Sequence, residues 1–118
     1  MKKKTKKAAP TDALQREYQR LCSSLARTGY ISQGSVLDRA KLRSPRSGYQ
    51  WTRKVASKTI TVALSPEQYH ALGQAINNRR RLEKTIRKME QLSRQILFGN
   101  LPDTRRRKSL PKKVLGLI

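Results

Sequence analysis

The spacing of apolar residues changes character twice along this chain of 118 residues, and each change marks an element. Leu14, Tyr18, Leu21 and Leu25 recur at intervals of four, three and four, which draws one apolar stripe on a helix. Thr11 or Asp12 can cap the orphan N–H groups at its start and Gly29 offers a left-handed stop, so the spacing predicts a helix over 12–28. The period then falls to two. ISQGSVLDRA, SGYQWTRKVA and KTITVALS read as three short strands over about 33–40, 48–56 and 58–64. In the second, Tyr49, Trp51, Arg53 and Val55 share one face, and Gln50, Thr52 and Lys54 the other. In the third, Ile60, Val62 and Leu64 alternate with Thr59, Thr61 and Ala63. An antiparallel meander follows, with Ala56–Ser57–Lys58 as its tight connection and the loop KLRSPRSG (41–48) joining the first two strands. In this arrangement Trp51, Val55, Ile60 and Val62 bury one face, while Gln50, Thr52, Lys54, Thr59 and Thr61 stand on the open one.

The helical period returns at Ser65-Pro66-Glu67-Gln68, where Ser at the N-cap, Pro at the first helical position and Gln at the third make a capping box. The pattern predicts helix over 66–98, stopped by Gly99-Asn100 and Pro102. Tyr69, Leu72 and Ile76 form a short stripe suited to covering the sheet. Ala75, Leu82, Met89 and Ile96 recur every seven residues, with Ile86 and Ser93 four after members of that series. Arg79 and Ser93 interrupt this seam. The first helix, whose stripe has matching spacing, is its expected partner; a second copy of the chain or another protein's helix is the alternative. The fold class is therefore α+β: an N-terminal helix, a small three-stranded meander and one long C-terminal helix. The ordered domain spans 12–98, between a disordered basic arm at 1–11 and a basic tail at 99–118 with an apolar end, VLGLI.

Charge supplies what hydropathy does not. Twenty-eight Lys and Arg stand against seven Asp and Glu, a net charge of +21. Such an excess repels itself within a fold and points to a polyanionic partner. Five lysines fall in residues 1–7 and six basic residues in 101–113. No run reaches the ~18–20 apolar residues a membrane span needs, so no membrane partner is expected. The lysine-rich start continues into AAPTDALQREYQ, which does not read as a secretory signal. A single cysteine, Cys22, beside the first stripe, excludes an internal disulfide, and a single histidine, His70, adds no metal cluster. The expected setting is cytoplasmic, and nucleoid-associated in a bacterium.

The inventory for catalysis is thin. The acids at 12, 17, 38, 67, 83 and 90 are scattered, and Glu83 with Arg87 and Glu90 with Arg94 are i,i+4 surface pairs. Gly34-Ser35 and Gly48 make no phosphate loop. No enzyme activity, cofactor or metal is expected. The inventory for binding is richer. Arg80, Lys84, Arg87, Gln91 and Arg94 follow one another by four, three, four and three, a basic ridge able to track phosphates. Gln50, Thr52 and Lys54 on the open strand face are types that read base edges, with Arg43, Arg46 and Lys58 placed for phosphates. Arg105, Arg106 and Arg107 lead the C-terminal basic run as further phosphate ligands.

The order helix, Gly34-Ser35-Val36, a hairpin ending in Lys58-Thr59, Ser65-Pro66-Glu67 and a long helix of the type NNRRRLEKTIRKMEQL resembles a family of small bacterial proteins of unknown function. Its members tend to be encoded by mobile elements or near transposases. Typical members carry a cysteine cluster and a His-Gly-Pro-Tyr-like turn between the first strands. Here the segment is KLRSPRSGYQW, in which only Gly48 and Tyr49 correspond, so no zinc role carries over. By pattern the chain is also similar to the sheet-plus-helix arm-binding domains of phage integrases. Both resemblances imply DNA binding. The expectation is a non-enzymatic nucleic-acid-binding protein, with double-stranded DNA favoured over RNA, as an accessory of a mobile element. The alternatives are an RNA-binding or ribosome-associated protein, and an adaptor that oligomerises through the long helix.

Overall fold

The computed structural model describes residues 4–102, 104 and 110–117, with side chains from Thr11 onward. The element order is α1 (Lys4–Leu25), β1 (Ser35–Asp38), a 3-10 turn (Arg39–Lys41), β2 (Tyr49–Val55), β3 (Lys58–Leu64), α2 (Pro66–Asn100) and a short α3 (Lys112–Leu115). This is the α+β order that the hydropathy pattern predicts. The chain divides into a helical unit, Met1–Arg27 with Glu83–Ile118, and a sheet unit, Thr28–Leu82; α2 runs through the boundary.

In the helical unit, α1 starts eight residues before Asp12, so the arm expected to be disordered is helical from Lys4. Lysine and alanine are strong helix formers, and they carry the helix through Pro10 although that residue donates no backbone bond. Thr11 Oγ1 donates to Asn100 Oδ1 at 3.3 Å, and the Glu17 carboxylate feels Lys88, so α1 runs antiparallel to the second half of α2. Leu21 and Leu92 are buried. Met89 and Ile96 of the expected seam are half-buried, as is Leu82 at the end of the sheet unit; Thr85 is half-buried and Leu92 buried, each three residues after a seam member, and Ser93 is half-buried as well. Ile86 is 42% exposed. An alternating spacing of three and four keeps a stripe on one face of the helix, and 85, 89, 92, 96 satisfies it where 86, 89, 93, 96 does so around a different centre.

The sheet unit has strand order β1-β2-β3, antiparallel throughout. Trp51 pairs with Val36 and Val62, and Thr52 with Ser35 and Thr61. β1 ends at Asp38 and not at 40, because the Asp38 carboxylate accepts from Ala40 N–H and caps the 3-10 turn. The connection between β2 and β3 is two residues, Ala56-Ser57, both left-handed at φ 51° and 69°. The capping box forms as expected: Ser65 N–H donates to Gln68 Oε1 at 2.9 Å, and Gln68 N–H to Ser65 Oγ at 3.1 Å.

Tyr69 stacks on Tyr49 with ring centroids 4.3 Å apart, and Ala75 and Ile76 are buried. Val36 lies against Gly73, where α2 has no side chain to hold it off. Residues 30–33 strap the unit: Ser32 N–H donates to Ala75 O, Asn78 Nδ2 to Tyr30 O, and Trp51 Nε1 to Gln33 O. The burial predicted for this face stops there. Val55, Ile60 and Val62 remain 36%, 38% and 42% exposed. Within the unit, α2 covers the Tyr49–Leu64 end of the sheet through Tyr69, and nothing covers the hairpin tip. β-Branched alternation records which side chains share a face, not whether an element lies over them.

Candidate nucleic-acid interface

β1 pairs with β2 only from Tyr49 to Thr52, so residues 53–60 project as a two-stranded ribbon. Residues 54–60 are all exposed. On the face turned away from Trp51, Gln50, Thr52 and Lys54 of β2 stand opposite Ala63, Thr61 and Thr59 of β3. No acidic side chain lies on that face; Asp38, the sole acid of the three strands, is in phase with Tyr49 and Trp51 and caps the 3-10 turn. A strand rises ~3.3 Å per residue, so successive positions on this face are roughly 7 Å apart, about the spacing of phosphates along one strand.

The loop between β1 and β2 is held in shape by its own backbone. Arg39 N–H donates to Gly48 O at 2.9 Å, and Arg39 O accepts from both Leu42 and Arg46 N–H. Gly48 takes φ 98°, a value that favours glycine. Arg43 and Arg46 are thereby exposed on a closed loop and not on a floppy one. Arg39, which the spacing did not single out, donates from Nε to Gln50 Oε1 at 3.1 Å. Gln50 is half-buried and its amide is oriented by this bond, so it is not free to turn toward a ligand. The signal for Arg39 was its place directly after the capping Asp38.

Lys54 and Lys58 are both exposed at the ribbon tip, but they do not share a face. Lys58 pairs with Val55 and so points to the Trp51 side, while Lys54 points to the threonine side. The two lysines straddle the ribbon. Arg53, also absent from the expected set, lies with its guanidinium 5.3 Å from the Trp51 ring centroid, and its buried Nε has no hydrogen-bond partner. The loop end and the tip end of β2 are six residues, or about 20 Å, apart, so their cations would reach different phosphates.

The residues of the expected ridge fall in both units. Arg80, in the sheet unit, is exposed and lines a cleft with Ser35, His70 and Asn77. Lys84 and Arg87, in the helical unit, are exposed. Arg94 departs from the expectation. It is half-buried, and a Cβ on Gly116 would come within 2.7 Å of its Nη1. Its guanidinium thus sits against the left-handed turn that ends α3, where Leu115 and Leu117 are half-buried too. Gln91 is half-buried. Arg105, Arg106 and Arg107 lie outside the described residues.

Arg20 pairs with Glu17 through both nitrogens of its fork, which holds the Glu17 carboxyl below the usual carboxylate range and raises Arg20. Among the described residues no group of three His, Cys, Asp or Glu comes together, and no helix is long and apolar enough to cross a membrane. Comparison with family models, curated proteins and solved structures gave no match to this chain. What it does must be read from its own side chains.

Proposed function

We propose that this protein binds double-stranded DNA without catalysing a reaction, and that the sheet unit is the reading head. The observation that carries this is the acid-free, two-stranded ribbon of residues 53–60, bearing Lys54 and Thr59 on one face and Lys58 on the other. The B-form major groove is ~12 Å wide and admits a two-stranded ribbon, whose neighbouring strands are ~4.8 Å apart. Thr52, Thr59 and Thr61 supply hydroxyls and methyl groups for base edges, while Lys41, Arg43, Arg46, Lys54 and Lys58 meet phosphates on either side. Lys84 and Arg87 of the helical unit, with the charge of +21 as a whole, add sequence-independent attraction. On the resemblance to mobile-element proteins, the duplex to try first is the end of such an element.

Five phosphate contacts from the sheet unit alone give a slope of log affinity against log salt of about −4.5, so affinity falls at least about 500-fold between 50 and 200 mM salt. Replacing Lys54 and Lys58 together by alanine removes about two units of that slope. Duplex RNA competes poorly, because its deep, narrow major groove does not admit the ribbon. Affinity that does not change with salt, or equal competition by duplex RNA, defeats the proposal.

A further inference from the structure

β3 is an edge strand, and nothing among the described residues bonds to its outer side. From Lys58 to Ala63 every residue is exposed. Between Thr59 and Leu64 the strand carries no charge, no proline and no bulge, the devices by which edges are usually protected. We propose that this edge pairs with itself: two copies of the chain join antiparallel through Thr59, Thr61 and Ala63, across a two-fold axis at Thr61.

The register follows from the hairpin. With both turn residues left-handed, Ala56-Ser57 is a two-residue turn of type I′, and its flanking pair, Val55 and Lys58, exchanges backbone bonds. Hydrogen-bonded pairs alternate along an antiparallel ladder, so Lys58, Ile60, Val62 and Leu64 turn their N–H and C=O toward β2. Thr59, Thr61 and Ala63 turn theirs outward. Two such edges bond only where outward residues meet outward residues. Centring on Thr61 matches all three, with Thr61 facing its own copy and Thr59 facing Ala63. Moving the axis toward the turn sets Ala63 against left-handed Ser57. Moving it toward α2 sets Thr59 against Ser65, whose N–H is already given to Gln68.

Side chains favour the same register. Ile60 stands opposite Val62 of the second copy on the Trp51 side, which covers two of the β-branched residues that the single chain leaves exposed. Lys58 stands opposite Leu64. The two lysines are then six residues, about 20 Å, apart along the seam, beyond the ~8 Å screening length at physiological salt. An acidic partner would find no cation to meet between Thr59 and Leu64, whereas a second copy meets an edge that matches its own.

Pairing makes a six-stranded sheet about 24 Å across, twice the ~12 Å width of the major groove, so self-pairing and groove entry exclude each other. That consequence rests on the duplex-binding proposal; the pairing does not. The two also respond to salt in opposite senses. Like-charged chains associate more tightly as salt rises, whereas a polyanion is released.

Sedimentation equilibrium of the full chain without nucleic acid, from 50 to 500 mM salt, tests the pairing. The expected result is a dimer whose Kd falls with rising salt. Thr61→Pro, which removes an N–H not used by the hairpin, and Thr61→Lys, which opposes two lysines at the axis, each raise that Kd at least about tenfold with the far-ultraviolet circular dichroism unchanged. Ile60→Pro, by contrast, removes an N–H that β2 needs and unfolds the hairpin. A chain that stays monomeric throughout overturns the proposal and leaves the edge to a strand of another protein. A dimer that survives both Thr61 variants overturns it in favour of a different interface. Added duplex then separates the two readings: release of monomer to the DNA supports the exclusion, a dimer seated on DNA refutes the exclusion alone, and failure to bind DNA refutes the proposed function while the dimer stands.

Discussion

The helical and sheet units use their apolar residues in opposite ways. In the helical unit the stripe of α1 and the 85, 89, 92, 96 stripe of α2 turn inward, with Leu21 and Leu92 at 8% and 3% exposure. In the sheet unit the hairpin carries its β-branched residues out past the cover of α2, and Val55, Ile60 and Val62 face solvent. An antiparallel pair of amphipathic helices satisfies both stripes at once. A meander of three strands has two faces and two edges, and α2 can cover only part of one face. What remains open is therefore where binding is to be sought. The open parts here are an acid-free polar face, a ribbon tip and a bare edge.

The largest test of this contrast is Leu92→Ala. Removing a buried leucine costs about 2–5 kcal/mol, whereas Ile86→Ala, six residues earlier on the same helix and 42% exposed, costs less than about 1 kcal/mol. Chemical denaturation of the two variants measures the difference. Equal losses would restore the seam through Ile86 and remove the asymmetry between the units. The next largest effect is expected at Gly34→Ala in the sheet unit. Gly34 has φ 101°, and a Cβ there would lie 2.5 Å from Trp51 Nε1 and 2.6 Å from the Thr52 carbonyl oxygen. A side chain must displace either the indole that donates to Gln33 or the backbone of β2, a loss of about 2 kcal/mol or more. Tryptophan fluorescence reports it directly, since the chain has one tryptophan.

A gain should follow from Ala56→Asn with Ser57→Gly, because left-handed φ at both turn positions suits those residues and strains the present ones. The double variant should be about 1 kcal/mol more stable with its register unchanged. If it is not, the tip is less constrained than its geometry implies, and a preformed reading ribbon loses its basis. The smallest effect is a pH dependence in the helical unit. The bond from Arg20 first, then the charges of Arg20 and Lys88, hold Glu17 below its ordinary value. Its contribution is therefore complete above the unfolded carboxylate pKa and fades as pH falls through the depressed folded value. Glu17→Gln should flatten the acid limb of the stability curve slightly, and a steeper limb would contradict the pairing.

Much of this architecture was legible in the order of residues. The capping box at Ser65-Pro66-Glu67-Gln68, the alternation of β2 and β3 and the stripe of α1 are each local, and a period of two or of 3.6 is written in the chain itself. The candidate interface was legible in part. Lys54, Lys58, Arg43 and Arg46 are exposed where strand and loop were expected. Gln50 and Arg94 were not free, because Arg39 and the turn at Gly116 reach them from elsewhere in the fold. Nor could spacing choose Leu92 over Ile86, since both extend a helical stripe and only the position of a neighbouring element selects one.

The sequence by itself determined the elements, their faces and the excess of positive charge, because propensity, capping and periodicity act between residues near one another in the chain. Only the tertiary structure decided which apolar residues are covered, which cations are held by other side chains, and that β3 is left as an edge. Those are questions of what lies opposite a face, and the answer comes from distant segments whose approach no local pattern encodes.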